Sequence, residues 1–254
     1  MQIHLTRLVL GLGLCLLAPA ALAEVSQQGG QRIEAAYAEL ASLLAQKQAK
    51  GDVPRLSNPG DAKVLDAFFD SAERLGRPPF MARDLPMLTE LLDKQRGILR
   101  VYVAFAASSG GSTSPGGMAF QGEIIRLMAA IFATFGAALP AVDDFMGKLK
   151  PEEINGARRQ GLRQLRLGLR QFVEGAAMAL RTPGLTPENL MRLTESLSQY
   201  APAVAKASTR VDRAAMLASM QASLRLLSGN AQATLKEFVT AMSGTACEGL
   251  CKLE

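Results

Sequence analysis

Histidine, tryptophan and cysteine are scarce in this 254-residue chain, which has one His, no Trp and three Cys. Aromatic side chains make up 5% of the residues, whereas hydrophobic side chains make up 48%. That apolar content is too high for a disordered chain and indicates a folded protein. The sequence has no sustained strand alternation with hairpin turns and no internal repeat of fixed period. No segment matches a known family motif residue by residue.

The first 23 residues have the features of a secretory signal peptide. A weakly basic start leads into an apolar run from Leu8 to Leu17, which is too short to span a bilayer as a helix. Pro19 ends that run, and Ala21-Leu22-Ala23 supplies a small-x-small cleavage site. We therefore predict cleavage after Ala23 and a bacterial periplasmic location.

Cleavage would remove the single histidine, His4, together with Cys15. A mature chain without histidine cannot use Ser-His, Cys-His or histidine-base catalysis, and it cannot form a histidine-ligated zinc or copper site. We expect no enzymatic activity, no cofactor and no metal. The alternative is an enzyme that works through carboxylates, Lys, Tyr or the remaining thiols.

Apolar residues recur at spacings of three and four along the rest of the chain, which predicts an all-α fold. Proline and glycine clusters, together with capping residues, divide this pattern into about seven helices of an irregular bundle. The predicted helices are approximately Gln31–Lys50, Asp61–Leu75, Asp84–Ala107, Ala119–Leu149, Lys150–Arg181, Thr186–Ala207 and Arg210–Ser243, with a break in the last one at Gly229-Asn230.

A Gly/Ser-rich segment, Ser108 to Gly117, interrupts the helical pattern. We expect one helical domain over residues 24–254, because the apolar faces on both sides of the segment need partners. A division of the chain at residues 108–117 is the alternative.

The most apolar segment after the leader is Leu127 to Val142, which contains no charged residue. Its sixteen residues fall short of the roughly twenty that a membrane helix needs. A helix that is apolar all round is normally the central helix of a soluble bundle, so we predict a core helix. Insertion into a membrane and a binding site for an apolar small molecule beside this helix remain as alternatives.

The fifth predicted helix carries a row of arginines, and the chain is most basic here, with 11 basic against 6 acidic side chains over residues 150–213. At 100° per residue, four of the arginines lie within about 60° of one another. One interpretation is a solvated face, or pairing with acids of neighbouring helices. The other is a site for an anionic group, since the planar guanidinium grips phosphate and carboxylate. The four arginines are Arg159, Arg163, Arg166 and Arg170.

Three glycines of the same helix, Gly161, Gly168 and Gly175, are spaced seven residues apart on a different face. Each glycine inside a helix costs about 1 kcal/mol relative to alanine. We expect this cost to be offset by the close approach of a neighbouring helix.

Cys247 and Cys251 end the chain in the sequence CEGLC. In an oxidising compartment two thiols at this spacing favour a structural disulfide, and Gly244 and Gly249 allow the backbone to leave the helix and close the ring. A redox-active dithiol, Cu(I) capture by Cys with Met, and an unpaired or intermolecular arrangement are the alternatives.

Acidic residues that lie close in sequence are candidates for acid–base pairs. Asp66 and Asp70 are one turn apart on a helix, and Lys63, Arg74 and Arg77 are expected to neutralise them. The further pairs are Asp143-Asp144 and Glu152-Glu153.

These observations favour a secreted, non-enzymatic helical protein that binds a partner protein or an anionic component of the envelope, with peripheral membrane contact left open. The arginine row is the candidate surface. Nucleic acid is not expected as a partner, because the basic run contains no interleaved aromatic residues and the compartment is unsuitable.

Overall fold

The computed structural model describes residues 24–71, 80–108 and 119–253. These ranges contain eight α-helices, three short 3₁₀ turns and no β-strand, so the predicted all-α fold is confirmed. The predicted signal peptide and most of the Gly/Ser segment lie outside the described residues. The helices are α1 (Glu24–Gln48), α2 (Pro59–Phe69), α3 (Leu85–Ser108), α4 (Gln121–Gly147), α5 (Gly156–Leu180), α6 (Pro187–Ala207), α7 (Arg210–Leu224) and α8 (Gly229–Gly244).

Side-chain caps set several of the helix starts. The Thr186 hydroxyl accepts a hydrogen bond from the backbone N–H of Asn189 at 3.2 Å and begins α6, as the Thr-Pro-Glu sequence predicts. The predicted start of the fifth helix at Lys150 is wrong. Pro151–Glu153 forms a separate 3₁₀ turn, and the Asn155 side chain caps α5 instead.

The seventh predicted helix is two helices, α7 and α8, which the expected break divides. Gly229 adopts a φ of 59°, in the left-handed region where glycine is tolerated best, and it opens α8. The count therefore rises from about seven predicted helices to the eight of the described ranges.

Helix α4 lies at the centre of the bundle, between α3 on one side and α6 on the other. α6 also packs along α8, α5 packs along α7, and α1 packs against α2 and α3. Most of the Leu127–Val142 segment is buried, as predicted for a core helix, although Pro140 is exposed within it. Within the described ranges, α4 is the one helix long and apolar enough to cross a membrane, and 72% of its apolar window is covered by the protein itself.

Helices from both sides of the Gly/Ser segment contact each other. The Tyr102 and Phe120 rings meet edge to face at 5.9 Å, and the Thr134 hydroxyl donates to Gln95 Oε1 at 3.0 Å. These contacts join α3 to α4 within a shared hydrophobic core.

The expected role of the glycines of α5 is wrong at two positions. A Cβ atom added at Gly168 or at Gly175 would meet nothing within 4 Å, so no neighbouring helix approaches there. The close approach occurs instead at Gly136 in α4, where an added Cβ would overlap the ring of Tyr200 from α6. The core therefore needs a glycine in α4 rather than in α5.

Candidate functional site

The four arginines of the predicted row fall into two groups in the structure. Arg159 and Arg163, toward the start of α5, are exposed. Arg166 is only 4% exposed, and Arg170 is partly buried. The four side chains therefore do not form one continuous surface.

Arg166 is a structural arginine in the interior. Its Nε donates to the carbonyl oxygen of Ala207 at 2.9 Å, and its Nη1 donates to that of Leu253 at 2.7 Å. Its Nη2 donates to the carbonyl oxygen of Leu250. These three hydrogen bonds join α5 to the end of α6 and to the C-terminal segment. The expectation of a surface position for Arg166 is thus corrected.

Arg170 pairs with acidic side chains, which was the alternative interpretation of the row. Its Nη1 lies 3.3 Å from Asp212 Oδ1, and its Nε lies 3.8 Å from Glu174 Oε1. Asp212 belongs to the first turn of α7 and also accepts a hydrogen bond from the Thr209 hydroxyl at 2.7 Å. Arg170 therefore fixes the start of α7 against α5.

The two exposed arginines keep their guanidinium groups at the surface. Arg159 Nε donates to the carbonyl oxygen of Ile154 at 3.3 Å. Among the described residues, no carboxylate pairs with Arg163. Glu153, which precedes the first turn of α5, is exposed and accepts a hydrogen bond from the backbone N–H of Lys150 at 2.8 Å. The start of α5 is thus the part of the row that an external anion can reach.

The predicted disulfide is confirmed. Cys247 and Cys251 are bonded, with their Cα atoms 5.3 Å apart. Helix α8 ends at Gly244, and Gly249 has a φ of 57°, which allows the chain to close the short ring. Asp143 accepts from the backbone N–H of Leu250 at 3.2 Å, and thereby holds the ring against the end of α4.

A second buried arginine, Arg213, holds the chain just before the ring. Its guanidinium donates to the carbonyl oxygens of Ser208, Thr245 and Ala246. Burial lowers the pKa of Arg213 below its ordinary value, and the nearby positive charge of Arg210 adds to that shift. Sequence reasoning missed this residue, because its partners are up to 33 residues away along the chain.

Arg166 also binds backbone beside two exposed bases that are distant in sequence. Lys206 precedes Ala207, and Lys252 lies between Leu250 and Leu253, so both flank carbonyl groups that Arg166 binds. Arg210, which begins α7, is likewise exposed. No local motif predicts this grouping, because it exists only after α5, α6 and the C-terminal segment have packed together.

The acidic pair Asp66 and Asp70 has a partner that was not predicted, whereas the predicted partners Arg74 and Arg77 lie outside the described residues. Arg126 of α4 contacts both carboxylates, with its Nη2 3.0 Å from Asp70 Oδ1. Its guanidinium also lies 5.4 Å from the centre of the Phe69 ring. One arginine bridges the two like charges and offsets one of them, so this pair joins α2 to α4.

The remaining acidic pairs serve separate backbone contacts. Asp143 binds the C-terminal ring, whereas Asp144 accepts from the backbone N–H of Ala82 at 3.0 Å. Glu153 caps its own 3₁₀ turn. The described ranges hold no cluster of three or more His, Cys, Asp or Glu side chains suited to a metal ion.

A buried polar network holds the loop between α1 and α2. The Tyr102 hydroxyl donates to the carbonyl oxygen of Pro54 at 2.8 Å, and Glu123 accepts from the backbone N–H of Leu56 at 2.7 Å. Asp61 accepts from the backbone N–H of Arg55 at 3.0 Å. Burial raises the pKa of the Tyr102 phenol far above its ordinary value, with Glu123 the next contributor. The three side chains thus bind backbone groups of the loop and hold it in place.

No family model, no curated protein and no solved structure matches this chain.

Proposed function

We propose that this chain is a secreted, non-enzymatic helical protein of the bacterial envelope that binds an anionic partner through the basic start of α5. The observation that carries the proposal is the exposed position of Arg159 and Arg163. Arg163 has no carboxylate partner among the described residues, so its charge is available to an external anion.

The leader-like sequence of residues 1–23 and the C-terminal disulfide both support the proposed compartment. Disulfides persist in oxidising environments such as the periplasm. Native mass spectrometry of the protein from a periplasmic extract tests this point. A mass equal to that of residues 24–254 with Cys247 and Cys251 oxidised supports secretion. A mass equal to that of the full-length reduced chain contradicts it.

A binding role, rather than catalysis, is supported by how the acidic residues are used. Asp66 and Asp70 contact Arg126, whereas Asp143, Asp144 and Glu153 accept from backbone N–H groups. No histidine follows residue 23. An arginine surface alone suits recognition, because guanidinium groups bind phosphate and carboxylate with directed hydrogen bonds.

Two soluble polyanions, polyphosphate and poly-L-glutamate, serve as membrane-free probes of the surface. We expect the double variant Arg159→Ala/Arg163→Ala to bind at least one of them about fivefold more weakly than the original protein at low salt, since exposed ionic contacts contribute up to about 1 kcal/mol each. The two probes also separate phosphate from carboxylate as the preferred chemistry.

The matched control is Arg32→Ala/Arg100→Ala, which removes the same charge from exposed positions on α1 and α3. We expect it to retain the affinity of the original protein within about twofold. Equal losses in both double variants would mean that net charge alone drives binding, and the proposed surface would then be wrong. Failure of the original protein to bind either polyanion would also reject it.

A further inference from the structure

The exposed bases near the C-terminal segment form a surface distinct from the start of α5. We define the C-terminal basic surface as Lys206, Arg210, Val211 and Lys252. The three bases are exposed. Val211 is 74% exposed, the highest value for a large hydrophobic side chain among the described residues.

Hydrogen bonds of the buried arginines fix the relative positions of these residues. Arg166 binds the carbonyl groups of Ala207 and Leu253, the immediate neighbours of Lys206 and Lys252. Since adjacent Cα atoms are about 3.8 Å apart, the backbone of each lysine lies close to the Arg166 guanidinium. The Arg170–Asp212 pair holds the start of α7, and with it Arg210 and Val211, against the same helix α5.

The chemistry of this surface suits an array of anions better than one small anion. Donors on Arg166 and Arg213 are directed at backbone carbonyl oxygens, so they do not converge on an outside ligand. The charges that remain outward belong to separate side chains on three segments. Separate exposed charges suit the separate head groups of a bilayer better than a single bound anion.

Among the described residues, the acidic side chains nearby offset only part of these charges. Asp212 is engaged by Arg170 and Thr209, and Asp143 holds the backbone of the disulfide ring. Glu248, inside that ring, is exposed and offsets one of the three positive charges.

We infer that the C-terminal basic surface docks on a bilayer that contains anionic phospholipid. The bases attract phosphate head groups, and Val211 supplies an aliphatic side chain at the start of a helix that can enter the head-group region. This inference rests on the proposed function, because it names the lipid phosphate as the anionic partner and adds a second contact to Arg159 and Arg163.

Co-sedimentation of the disulfide-bonded protein with vesicles tests the inference. One vesicle preparation contains phosphatidylcholine alone, and the other contains phosphatidylcholine with about one third phosphatidylglycerol. We expect binding to the mixed vesicles only. The variant Lys206→Ala/Arg210→Ala/Lys252→Ala should bind them at least about tenfold more weakly, because each base near an anionic surface contributes up to about fivefold in affinity. Val211→Ser should weaken binding about threefold without changing its salt dependence.

The matched control, Arg32→Ala/Lys63→Ala/Arg100→Ala, loses equal charge from exposed sites on α1, α2 and α3. We expect it to bind mixed vesicles like the original protein, and circular dichroism should report the same helix content for all variants. Absence of vesicle binding, or equal losses in both triple variants, overturns the inference. If polyanion binding through Arg159 and Arg163 persists in that case, the proposed function stands with an anionic partner other than a phospholipid bilayer. If polyanion binding is absent as well, both proposals fail.

Discussion

The close contact between Gly136 and Tyr200 predicts a destabilising Gly136→Ala substitution. A Cβ atom at position 136 would lie 2.7 Å from Cε1 of Tyr200 and closer still to Cδ1. Because no real Cβ tolerates such distances, α4 or the ring must move. The ring is not free to do so without loss, since it packs edge to face on Phe132 with the ring centres 6.4 Å apart.

Two opposing effects set the size of the change. Alanine stabilises a helix by about 1 kcal/mol relative to glycine, whereas inserting atoms into a packed core costs typically about 1–3 kcal/mol. Because three ring atoms would lie within 3.0 Å of the new Cβ, we expect a cost of about 2–3 kcal/mol and hence a net loss of about 1–2 kcal/mol in the free energy of unfolding. Gly168→Ala and Gly175→Ala are the controls, because an added Cβ there meets nothing within 4 Å. Each should stabilise the protein by up to about 1 kcal/mol.

Urea denaturation followed by circular dichroism measures these differences, provided that the slope with denaturant stays the same. The double variant Gly136→Ala/Tyr200→Ala adds a second check. Compared with Tyr200→Ala alone, it should show no cost for the new methyl group, because the ring has been removed. An unchanged or increased stability of Gly136→Ala, or the same response at positions 136, 168 and 175, would refute the described packing of α4 against α6.

Three further changes test other parts of the structure. Arg166→Met should destabilise the fold by about 3–5 kcal/mol, since it leaves three carbonyl groups without their donor; urea denaturation measures this, and a loss below about 1 kcal/mol would contradict a joining role. Replacing Cys247 and Cys251 by Ser should lower the free energy of unfolding by about 2 kcal/mol, by the loop-closure relation for a ring this small. Thermal unfolding should show a similar loss when reductant is added to the original protein. No loss in either experiment would contradict a stabilising role for the ring. Stability should fall as pH rises above about 10, because the unfolded chain then loses the Tyr102 proton that the folded protein retains. Tyr102→Phe should lessen that alkaline loss, and an unchanged pH profile would contradict it.

The helices and the disulfide were predictable because their determinants are local. Periodic apolar residues, a Thr-Pro-Glu start and glycines at helix ends act within a few residues of the structure that they specify. The Cys247–Cys251 spacing, together with Gly249, is equally local. Where two local signals competed, the prediction was wrong. The acidic turn at Pro151 resembles a helix start, yet Asn155 caps α5.

The division of the arginine row could not be predicted, because it depends on which segments pack together. Arg166 and its partner Leu253 are 87 residues apart, and Arg126 lies 60 residues from Asp66. The same limit applies to glycine. The spacing of the glycines in α5 suggested a helix contact, whereas the single Gly136 forms it.

The salt dependence of polyphosphate binding is the sharpest test of anion binding through Arg159 and Arg163. Screening shortens the Debye length from about 30 Å at 0.01 M salt to about 8 Å at 0.15 M, so binding through exposed arginines must weaken steeply. We expect a large rise of the dissociation constant over this range for the original protein, and a smaller slope for Arg159→Ala/Arg163→Ala than for Arg32→Ala/Arg100→Ala. A dissociation constant that does not change with salt, or identical slopes in the two variants, would contradict it.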